Sequence, residues 1–119
     1  MNMTFVVEFY ETETGACPVR EFLDKLKASD PDDFAAVVSG LAKLRDRQNH
    51  REPLSKPLTD GLFELRHVGK LNTRILWFFV RGRRIVAVHA IRNKGQAVPT
   101  RDIETARDRM HNWQKREKQ

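Results

Sequence analysis

Positively charged side chains occur inside two stretches of this sequence that otherwise have the pattern of β-strands. Glu64 and Arg66 share one face of the stretch Leu62–Val68, because residues two apart along a strand point to the same side. Arg74 interrupts the nearly continuous apolar run Leu71–Val80. Arginine is unfavourable inside a strand unless one face of the sheet is open to water or the charge is paired. Short links on both sides of this run require antiparallel neighbours, so we expect Arg74 near Arg66 and the last strand.

Three further cations extend this group. Lys56 lies in the segment that leads into the first of three consecutive strands, and Arg92 and Lys94 lie at the end of the last strand. If the helices cover one face of a curved sheet and these side chains lie on the other, the cations form a basic groove. Such a groove suits a phosphodiester, because planar guanidinium groups bind phosphate through paired hydrogen bonds.

The same residue types are sufficient for one kind of RNA cleavage. Phosphoryl transfer builds negative charge on the non-bridging oxygens, and preorganised arginine and lysine stabilise that charge without a metal. In RNA the 2′-hydroxyl is a built-in nucleophile that the protein needs only to align and deprotonate. This pattern permits a metal-independent ribonuclease but does not by itself specify one.

Motifs for other chemistries are absent from the sequence. It contains no glycine-rich phosphate loop, no HExxH, no Gly-x-Ser-x-Gly and no metal-spaced set of cysteines and histidines. Its four histidines, His50, His67, His89 and His111, are scattered without the spacing of metal ligands. We therefore expect neither a metal nor a cofactor.

The elements that carry these residues predict an α+β fold in the order β-α-α-β-β-β-α. The predicted strands are Thr4–Thr12, Leu62–Val68, Leu71–Val80 and Arg84–Arg92, and the predicted helices are Pro18–Ala28, Pro31 to about Gln48, and a last helix opening at Pro99-Thr100. We expect a mostly antiparallel sheet with the helical hairpin Pro18–Gln48 on one face. Asn49–Gly61 is predicted to be a loop, and the aromatic run Trp77–Phe79 to lie in the core.

Length and composition limit the function classes. The 119 residues suit one domain, residues 1–119, and 39% hydrophobic with 32% charged residues is typical of a globular protein. No apolar run approaches the ~20 residues that span a bilayer, and the N-terminus lacks a signal-peptide pattern. A single cysteine excludes an intramolecular disulfide, so we expect a cytoplasmic protein.

The net charge of +6 is unevenly distributed along the chain. Residues 1–40 hold 3 basic and 8 acidic side chains, whereas residues 41–119 hold 19 basic and 8 acidic ones. A concentrated basic region favours a polyanionic partner, most often nucleic acid, although a well-solvated surface of arginine and lysine remains the alternative.

Several blocks of the sequence together resemble the RelE/HigB-type toxins of type II toxin–antitoxin systems, and especially their phage-derived branch. The segment Lys56–Arg66 is similar to the family stretch K-L-x-x-G-L-x-E-L-R, and Thr73–Phe79 is similar to its x-R-x-x-Y-F/W strand. Ile85–Pro99 resembles the block I-V-L-L-H-x-F-x-K-K-x-x-x-x-P, and Ile103–Ala106 resembles E-I-x-x-A. The similarity covers nearly the whole chain.

This resemblance implies a RelE-like fold and a toxin that cleaves mRNA, often on the ribosome. It also implies a cognate antitoxin, frequently a helix-turn-helix protein. Carried over by motif, Lys56, Arg66, Arg74 and Lys94 are candidates for substrate binding and transition-state stabilisation. Two features depart from the family pattern. Many members have a tyrosine or histidine near the C-terminus that aids catalysis or stacks on a base, whereas the only tyrosine here is Tyr10. The usual Lys-Lys pair after the last strand is Asn93-Lys94.

We therefore predict Arg66, Arg74 and Lys94 as catalytic residues and Lys56, Glu64 and Arg92 as substrate-binding residues. Simpler explanations exist: Arg74 and Glu64 form a cross-strand ion pair, and Lys56, Arg92 and Lys94 are solvated surface charges. Two other functions also fit the sequence. One is a non-catalytic RNA- or ribosome-binding protein on the same scaffold, and the other is an interaction protein whose basic groove binds an acidic partner.

Overall fold

The strands predicted between Leu62 and Arg92 form the centre of a five-stranded sheet. We describe a computed structural model, which covers residues 4–92, 95 and 97–117. Its elements are β1 (Val6–Phe9), α1 (Pro18–Ser29), α2 (Pro31–Lys43), β2 (Ser55–Pro57), β3 (Leu62–Val68), β4 (Thr73–Val80), β5 (Arg84–Arg92) and α3 (Thr100–Glu117), with a 3-10 turn at Arg47–Asn49. The strand order across the sheet is β1-β5-β4-β3-β2. β1 pairs with β5 in parallel and the other neighbours are antiparallel, so the predicted α+β class is confirmed.

Helices cover both faces of the sheet. The α1–α2 hairpin buries one face, where Leu65, Ile75 and Trp77 belong to its core cluster. α3 covers part of the other face, above Leu76 and Phe78. The alternation of side chains along β4 therefore divides its residues between two cores, which explains why this strand is apolar almost throughout.

The α1–α2 hairpin turns sharply because two signals coincide at its corner. Asp30 ends α1 and caps α2, accepting a hydrogen bond from the backbone N–H of Asp33 at 3.1 Å. Pro31 occupies the first position of α2, where its missing N–H leaves no bond unmade. The predicted hairpin is thus confirmed, with α1 ending at Ser29 and not at Ala28.

Several elements differ from the sequence prediction. β1 and β4 are shorter than the predicted strands Thr4–Thr12 and Leu71–Val80. α2 ends at Lys43 and does not reach Gln48, because the following N–H groups bond three residues back and the Arg45 carbonyl accepts from the Phe5 N–H at 2.8 Å. The predicted loop Asn49–Gly61 contains the short edge strand β2. Pro57 ends this strand, since proline cannot donate to the ladder of hydrogen bonds.

The aromatic run on β4 is only partly buried. Trp77 and Phe78 are core residues, as predicted, but Phe79 keeps 40% of its surface exposed. Phe79 lies at the rim of an aromatic group in which Phe5, His50 and Phe63 surround it at centroid distances of 5.1–5.9 Å. Phe79 is the second-last residue of β4, and the surrounding rings cover only part of its surface.

Candidate functional site

The charged residues of β3 and β4 meet on the sheet face that also carries α3. Leu62, Leu76 and Phe78 lie under α3, and alternation places Glu64, Arg66 and Arg74 on the same face. Glu64 and Arg74 are each only 2% exposed. The predicted proximity of Arg66 and Arg74 therefore exists, and a buried carboxylate lies between them.

Glu64 contacts both arginines. Arg74 Nη1 lies 3.5 Å from Glu64 Oε2, and Arg66 Nε lies 3.5 Å from Glu64 Oε1. Arg74 Nη2 also donates to the carbonyl of Gly95 at 2.9 Å, which ties β4 to the segment after β5. The cross-strand pairing of Arg74 with Glu64 that the sequence left open is thus present, and it holds Arg74 inside the protein.

Arg66 is the more accessible of the two guanidinium groups. Its side chain is 21% exposed, and its Nη1 donates to Glu52 Oε1 at 3.2 Å. Its Nε has no hydrogen bond of good geometry among the described residues, and neither does the Nε of Arg74. Both Nε atoms are buried, so this unused donor capacity lies inside the site and not at its surface. Glu52 was not predicted, because a lone glutamate in a loop carries no sequence signal for this contact.

Lys56 faces the same site from β2. It is the direct antiparallel neighbour of Glu64, and residues opposite each other on neighbouring strands share a face. Lys56 is exposed and forms no ion pair with any residue that the structure describes. The structure thus brings together Lys56, Glu64, Arg66 and Arg74, with Lys56 and Arg66 next to solvent.

Arg92 does not join this group. It pairs with Thr73 on β4, and Thr73 points to the opposite face from its neighbour Arg74. The pKa of Asp30, at the corner of the hairpin, is lowered chiefly by the hydrogen bond from Asp33 N–H and also by the charges of Lys70 and Arg92. Arg92 therefore lies on the hairpin side of the sheet and not beside Glu64, Arg66 and Arg74, and its substrate-binding role stays a prediction.

Lys94 is outside the described residues, so its predicted catalytic role has no structural account. Gly95 follows Lys94 in the sequence, and its carbonyl accepts a hydrogen bond from Arg74. The buried arginine is therefore bound to the segment to which Lys94 belongs.

A second polar cluster fixes α3 against β5. His89 Nε2 lies 2.8 Å from Asp102 Oδ1, and Arg109 Nη1 lies 3.0 Å from His89 Nδ1 and 2.8 Å from the carbonyl of Val88. Because the guanidinium donates to Nδ1, the Nε2 proton of a neutral ring faces the carboxylate. Burial lowers the pKa of Arg109. Both ring nitrogens are engaged, so His89 attaches α3 to the sheet.

The family of the chain is evident from its sequence. Residues 21–111 match the family model described as phage derived protein Gp49-like (DUF891). The chain belongs to this Gp49-like family. The family is associated with RelE-like toxins, and the matched range includes every residue of the predicted site. The comparison with curated proteins found no match.

Two properties of the described residues concern membranes and metal ions. No helix among them is long and apolar enough to cross a membrane. Within 4–92, 95 and 97–117, no group of three or more histidine, cysteine, aspartate or glutamate side chains is arranged to hold a metal ion.

Proposed function

We propose that this Gp49-like protein is a RelE/HigB-type toxin of a type II toxin–antitoxin system. In this proposal it is a cytoplasmic, metal-independent endoribonuclease that cleaves mRNA on the ribosome, and a cognate antitoxin, of helix-turn-helix type, neutralises it. Membership of a family associated with RelE-like toxins supports the proposal. The observation that carries it is the set of two solvent-facing cations, Lys56 and Arg66, above a buried Glu64–Arg74 pair.

The chemistry follows from that arrangement. The substrate 2′-hydroxyl attacks the adjacent phosphorus, and the bond from phosphorus to the 5′-oxygen breaks. The products are a 2′,3′-cyclic phosphate and a 5′-hydroxyl, and the proton lost from the 2′-oxygen is balanced by the one gained by the leaving oxygen. Lys56 and Arg66 stabilise the negative charge that develops on the non-bridging oxygens.

The buried pair has a different role in this mechanism. Glu64 orients the Arg66 side chain, and Arg74 compensates the charge of Glu64 while holding the Gly95 carbonyl. We therefore assign Arg74 and Glu64 as positioning residues and not as groups that contact the phosphate. Lys94, next to Gly95 in the sequence, is the proposed further cation of the catalytic set.

The decisive experiment combines RNA mapping in cells with analysis of the product ends. The protein is expressed briefly with and without the neighbouring reading frame, and the 5′ ends of cellular mRNA are sequenced. Purified protein is then added to programmed ribosomes, and the RNA ends are tested for a 2′,3′-cyclic phosphate. We expect new cleavage sites that disappear with the neighbouring gene and in Arg66→Ala. Arg101→Ala, which removes an exposed cation on α3, is the control and should cleave normally.

A non-catalytic protein that binds RNA or the ribosome is the alternative. It is favoured by one observation, since the hydroxyl of Tyr10, the only tyrosine, is bound to Asn112 Oδ1 at 2.8 Å and is distant in sequence from the site. Growth arrest with intact mRNA would support this alternative. If neither growth arrest nor RNA binding occurs, an interaction protein with an acidic partner is the better description.

A further inference from the structure

A partly exposed aromatic ring lies at one end of the sheet. Phe79 keeps 40% of its surface exposed, although its ring contacts those of Phe5, His50 and Phe63 at centroid distances of 5.9, 5.1 and 5.2 Å. These contacts hold the ring in place while part of it stays open to solvent. A fixed, open aromatic ring is a typical platform for a base of single-stranded nucleic acid, because every base has a π-face that can stack on it.

Arginine-rich segments meet beside this aromatic group. The N–H of Phe5 donates to the carbonyl of Arg45 at 2.8 Å, and the N–H of Val6 donates to the carbonyl of Arg83 at 2.9 Å. The guanidinium of Arg47 lies 5.9 Å from the centroid of the Phe5 ring. The segment 45–51 and the turn between β4 and β5 are therefore neighbours at the end of the sheet that carries Phe79.

Positive charge is in excess in these two segments. Residues 45–51 and 81–83 hold five exposed arginines and one aspartate, namely Arg45, Arg47, Arg51, Arg81, Arg83 and Asp46. In the part of the chain that the structure describes, none of the five arginines forms an ion pair. Unpaired guanidinium groups attract a polyanion, and they bind phosphate through paired hydrogen bonds.

Two hollows connect this end of the sheet with the candidate site. The first has a volume of about 420 Å³ and is lined by Arg47, Gln48, His50 and Arg51. The second has a volume of about 390 Å³, and its lining includes Gln48, Arg51 and Arg66. Because Gln48 and Arg51 line both hollows, the two are adjacent. Because Arg66 lines the second, the hollows lead from the ring of His50, which contacts Phe79, to an accessible cation of the candidate site.

We infer that this path binds a stretch of single-stranded RNA next to the scissile phosphate. A base of the strand stacks on Phe79, and phosphates beside that base bind Arg47 and Arg81. The strand then passes Arg51 and reaches Arg66 through the second hollow. The inference rests on the proposed function only in taking the strand to be the mRNA substrate, since binding along the path requires no cleavage.

Other polyanions fit the path less well. An acidic protein segment would pair with the arginines, but its carboxylates offer no π-face to Phe79. The bases of an RNA duplex are already stacked on one another, so they too are not available to the ring. The combination of an open ring with unpaired arginines therefore favours a single strand.

Oligonucleotide binding to the full chain tests the inference. The probe is a fluorescein-labelled uridine 12-mer with 2′-O-methyl groups, which lacks the 2′-hydroxyl nucleophile and stays intact, and binding is followed by fluorescence anisotropy. The controls are an abasic 12-mer with the same phosphates and a 12-residue oligoglutamate. We expect saturable binding of the uridine 12-mer, and binding of both controls that is weaker by about fivefold or more, because neither can stack on the ring.

Variants of the ring locate the stacked base. Phe79→Leu keeps an apolar side chain but removes the ring, so it should weaken binding of the uridine 12-mer by about fivefold or more and leave binding of the abasic 12-mer unchanged. Phe79→Tyr keeps the ring and should bind both oligonucleotides as the wild type does.

Variants of the arginines locate the phosphates. Arg47→Gln/Arg51→Gln/Arg81→Gln should weaken binding and reduce the slope of log affinity against log salt by about 2, because each phosphate contact to a single strand contributes about 0.7. Lys25→Gln/Arg101→Gln/Lys115→Gln removes three exposed cations from α1 and α3 and is the matched control for net charge. Its salt slope should stay close to that of the wild type.

The double variant Lys56→Ala/Arg66→Ala separates this inference from the proposed function. It should still bind the uridine 12-mer more tightly than the abasic 12-mer, because Phe79 is unchanged. If the wild type cleaves no RNA but Phe79→Leu still weakens binding, the path is supported and the proposed ribonuclease function fails. If the wild type cleaves RNA while Phe79→Leu and the triple arginine variant bind like the wild type, the path is wrong and the candidate site is unaffected.

Three results would overturn the inference. The first is the absence of saturable binding of the uridine 12-mer, and the second is equal binding of the abasic 12-mer, which would exclude stacking. The third is equal binding of the oligoglutamate, which would identify an acidic protein segment as the ligand. Since these comparisons use the wild-type chain, they decide the question even if Phe79→Leu fails to fold.

Discussion

Arg74 and Glu64 form a buried ion pair on adjacent strands, with Arg74 Nη1 3.5 Å from Glu64 Oε2 and both residues 2% exposed. The pair lies beneath Arg66, whose Nε is 3.5 Å from the other oxygen of the same carboxylate. A residue this inaccessible does not reach a phosphate from its observed position. Arg74 therefore acts on the site through Glu64 and through the Gly95 carbonyl.

The first prediction concerns the stability of this pair. Arg74→Ala should lower the free energy of unfolding by about 3–5 kcal/mol, because it leaves the Glu64 carboxylate buried without its main partner. Glu64→Gln in the same background removes the orphaned charge and should recover part of that loss. Urea denaturation monitored by tryptophan fluorescence provides the measurement.

The matched control for this prediction is Arg101→Ala, which removes an exposed arginine and should change stability very little. An Arg74→Ala variant as stable as the wild type would contradict the prediction, because it would mean that the buried Glu64 carboxylate does not need Arg74 as its partner.

The second prediction concerns the exposed cations. Arg66→Ala and Lys56→Ala should each reduce the single-turnover cleavage rate by ~10²–10³, the usual effect of removing one transition-state donor. Binding to ribosomes should change much less, because phosphate contacts are shared among many cations. Both variants should remain folded, since Lys56 is exposed and Arg66 is partly so.

Lys56→Arg and Arg66→Lys separate charge from geometry in this prediction. If only a positive charge is needed, both variants keep most of the activity. If Arg66 binds the phosphate through paired hydrogen bonds, Arg66→Lys loses activity, because lysine has no guanidinium group. Full activity in the double variant Lys56→Ala/Arg66→Ala, at equal protein concentration, would exclude this site from catalysis.

Local patterns in the sequence were sufficient to predict most of the fold. Alternation predicted β3 and a strand-like apolar run predicted β5, both with their observed bounds, and the proline and aspartate signals predicted the α1–α2 corner. β2 was missed because it has only three residues and its pairing with β3 supplies the order that its own sequence lacks. A segment of three residues is too short to show an alternating pattern of its own.

The site was predictable only in part, because it depends on contacts between strands and between segments. Alternation within β3 correctly placed Glu64 and Arg66 on one face, and hairpin lengths brought Arg74 near them. The sheet face on which Arg92 lies is set by its pairing with Thr73 and by a register shift between β4 and β5. The sequence alone does not show this register. The burial of Arg74 depends on the segment containing Gly95, a contact 21 residues away in sequence.

The third prediction concerns the pH dependence of stability. Arg84 donates two hydrogen bonds to Glu8, at 2.5 and 3.0 Å, and these lower the pKa of the Glu8 carboxyl. A carboxyl with a depressed pKa in the folded state stabilises the protein above its unfolded pKa of about 4.3, and this stabilisation is lost as the pH falls through the folded value. Both side chains are about one-third exposed, so the contribution should not exceed about 1 kcal/mol.

Thermal unfolding of wild type and Glu8→Gln between pH 3 and pH 7 measures this effect. The wild type should be more stable by a constant amount at neutral pH, and the difference should disappear at the acid end of the range. Glu104→Gln, on exposed α3 surface, should show no comparable difference. A Glu8→Gln difference that grows as the pH falls would have the wrong sign and contradict the prediction.

The fourth prediction concerns the turn between β3 and β4. Gly69 has φ of +75°, and a Cβ at this position would lie 2.0 Å from Asp33 Oδ1. That oxygen accepts the backbone N–H of Lys70 at 2.8 Å, and so joins the start of α2 to the turn. Gly69→Ala should therefore both strain the backbone and displace the carboxylate. Gly82, in the β4–β5 turn, has φ of +81° but no atom within 4 Å of its Cβ position, so Gly82→Ala is the matched control.

Both substitutions carry the cost of a positive φ, about 1–3 kcal/mol. Only Gly69→Ala should add the loss of the hydrogen bond to Lys70, a further ~1–3 kcal/mol because it leaves a buried polar group without a partner. Chemical denaturation of the two variants gives both values. The double variant Gly69→Ala/Asp33→Ala removes the clash, so it should be destabilised by less than the sum of its single changes. Equal losses for Gly69→Ala and Gly82→Ala would mean that Asp33 moves aside without cost and that the contact does not stabilise the turn.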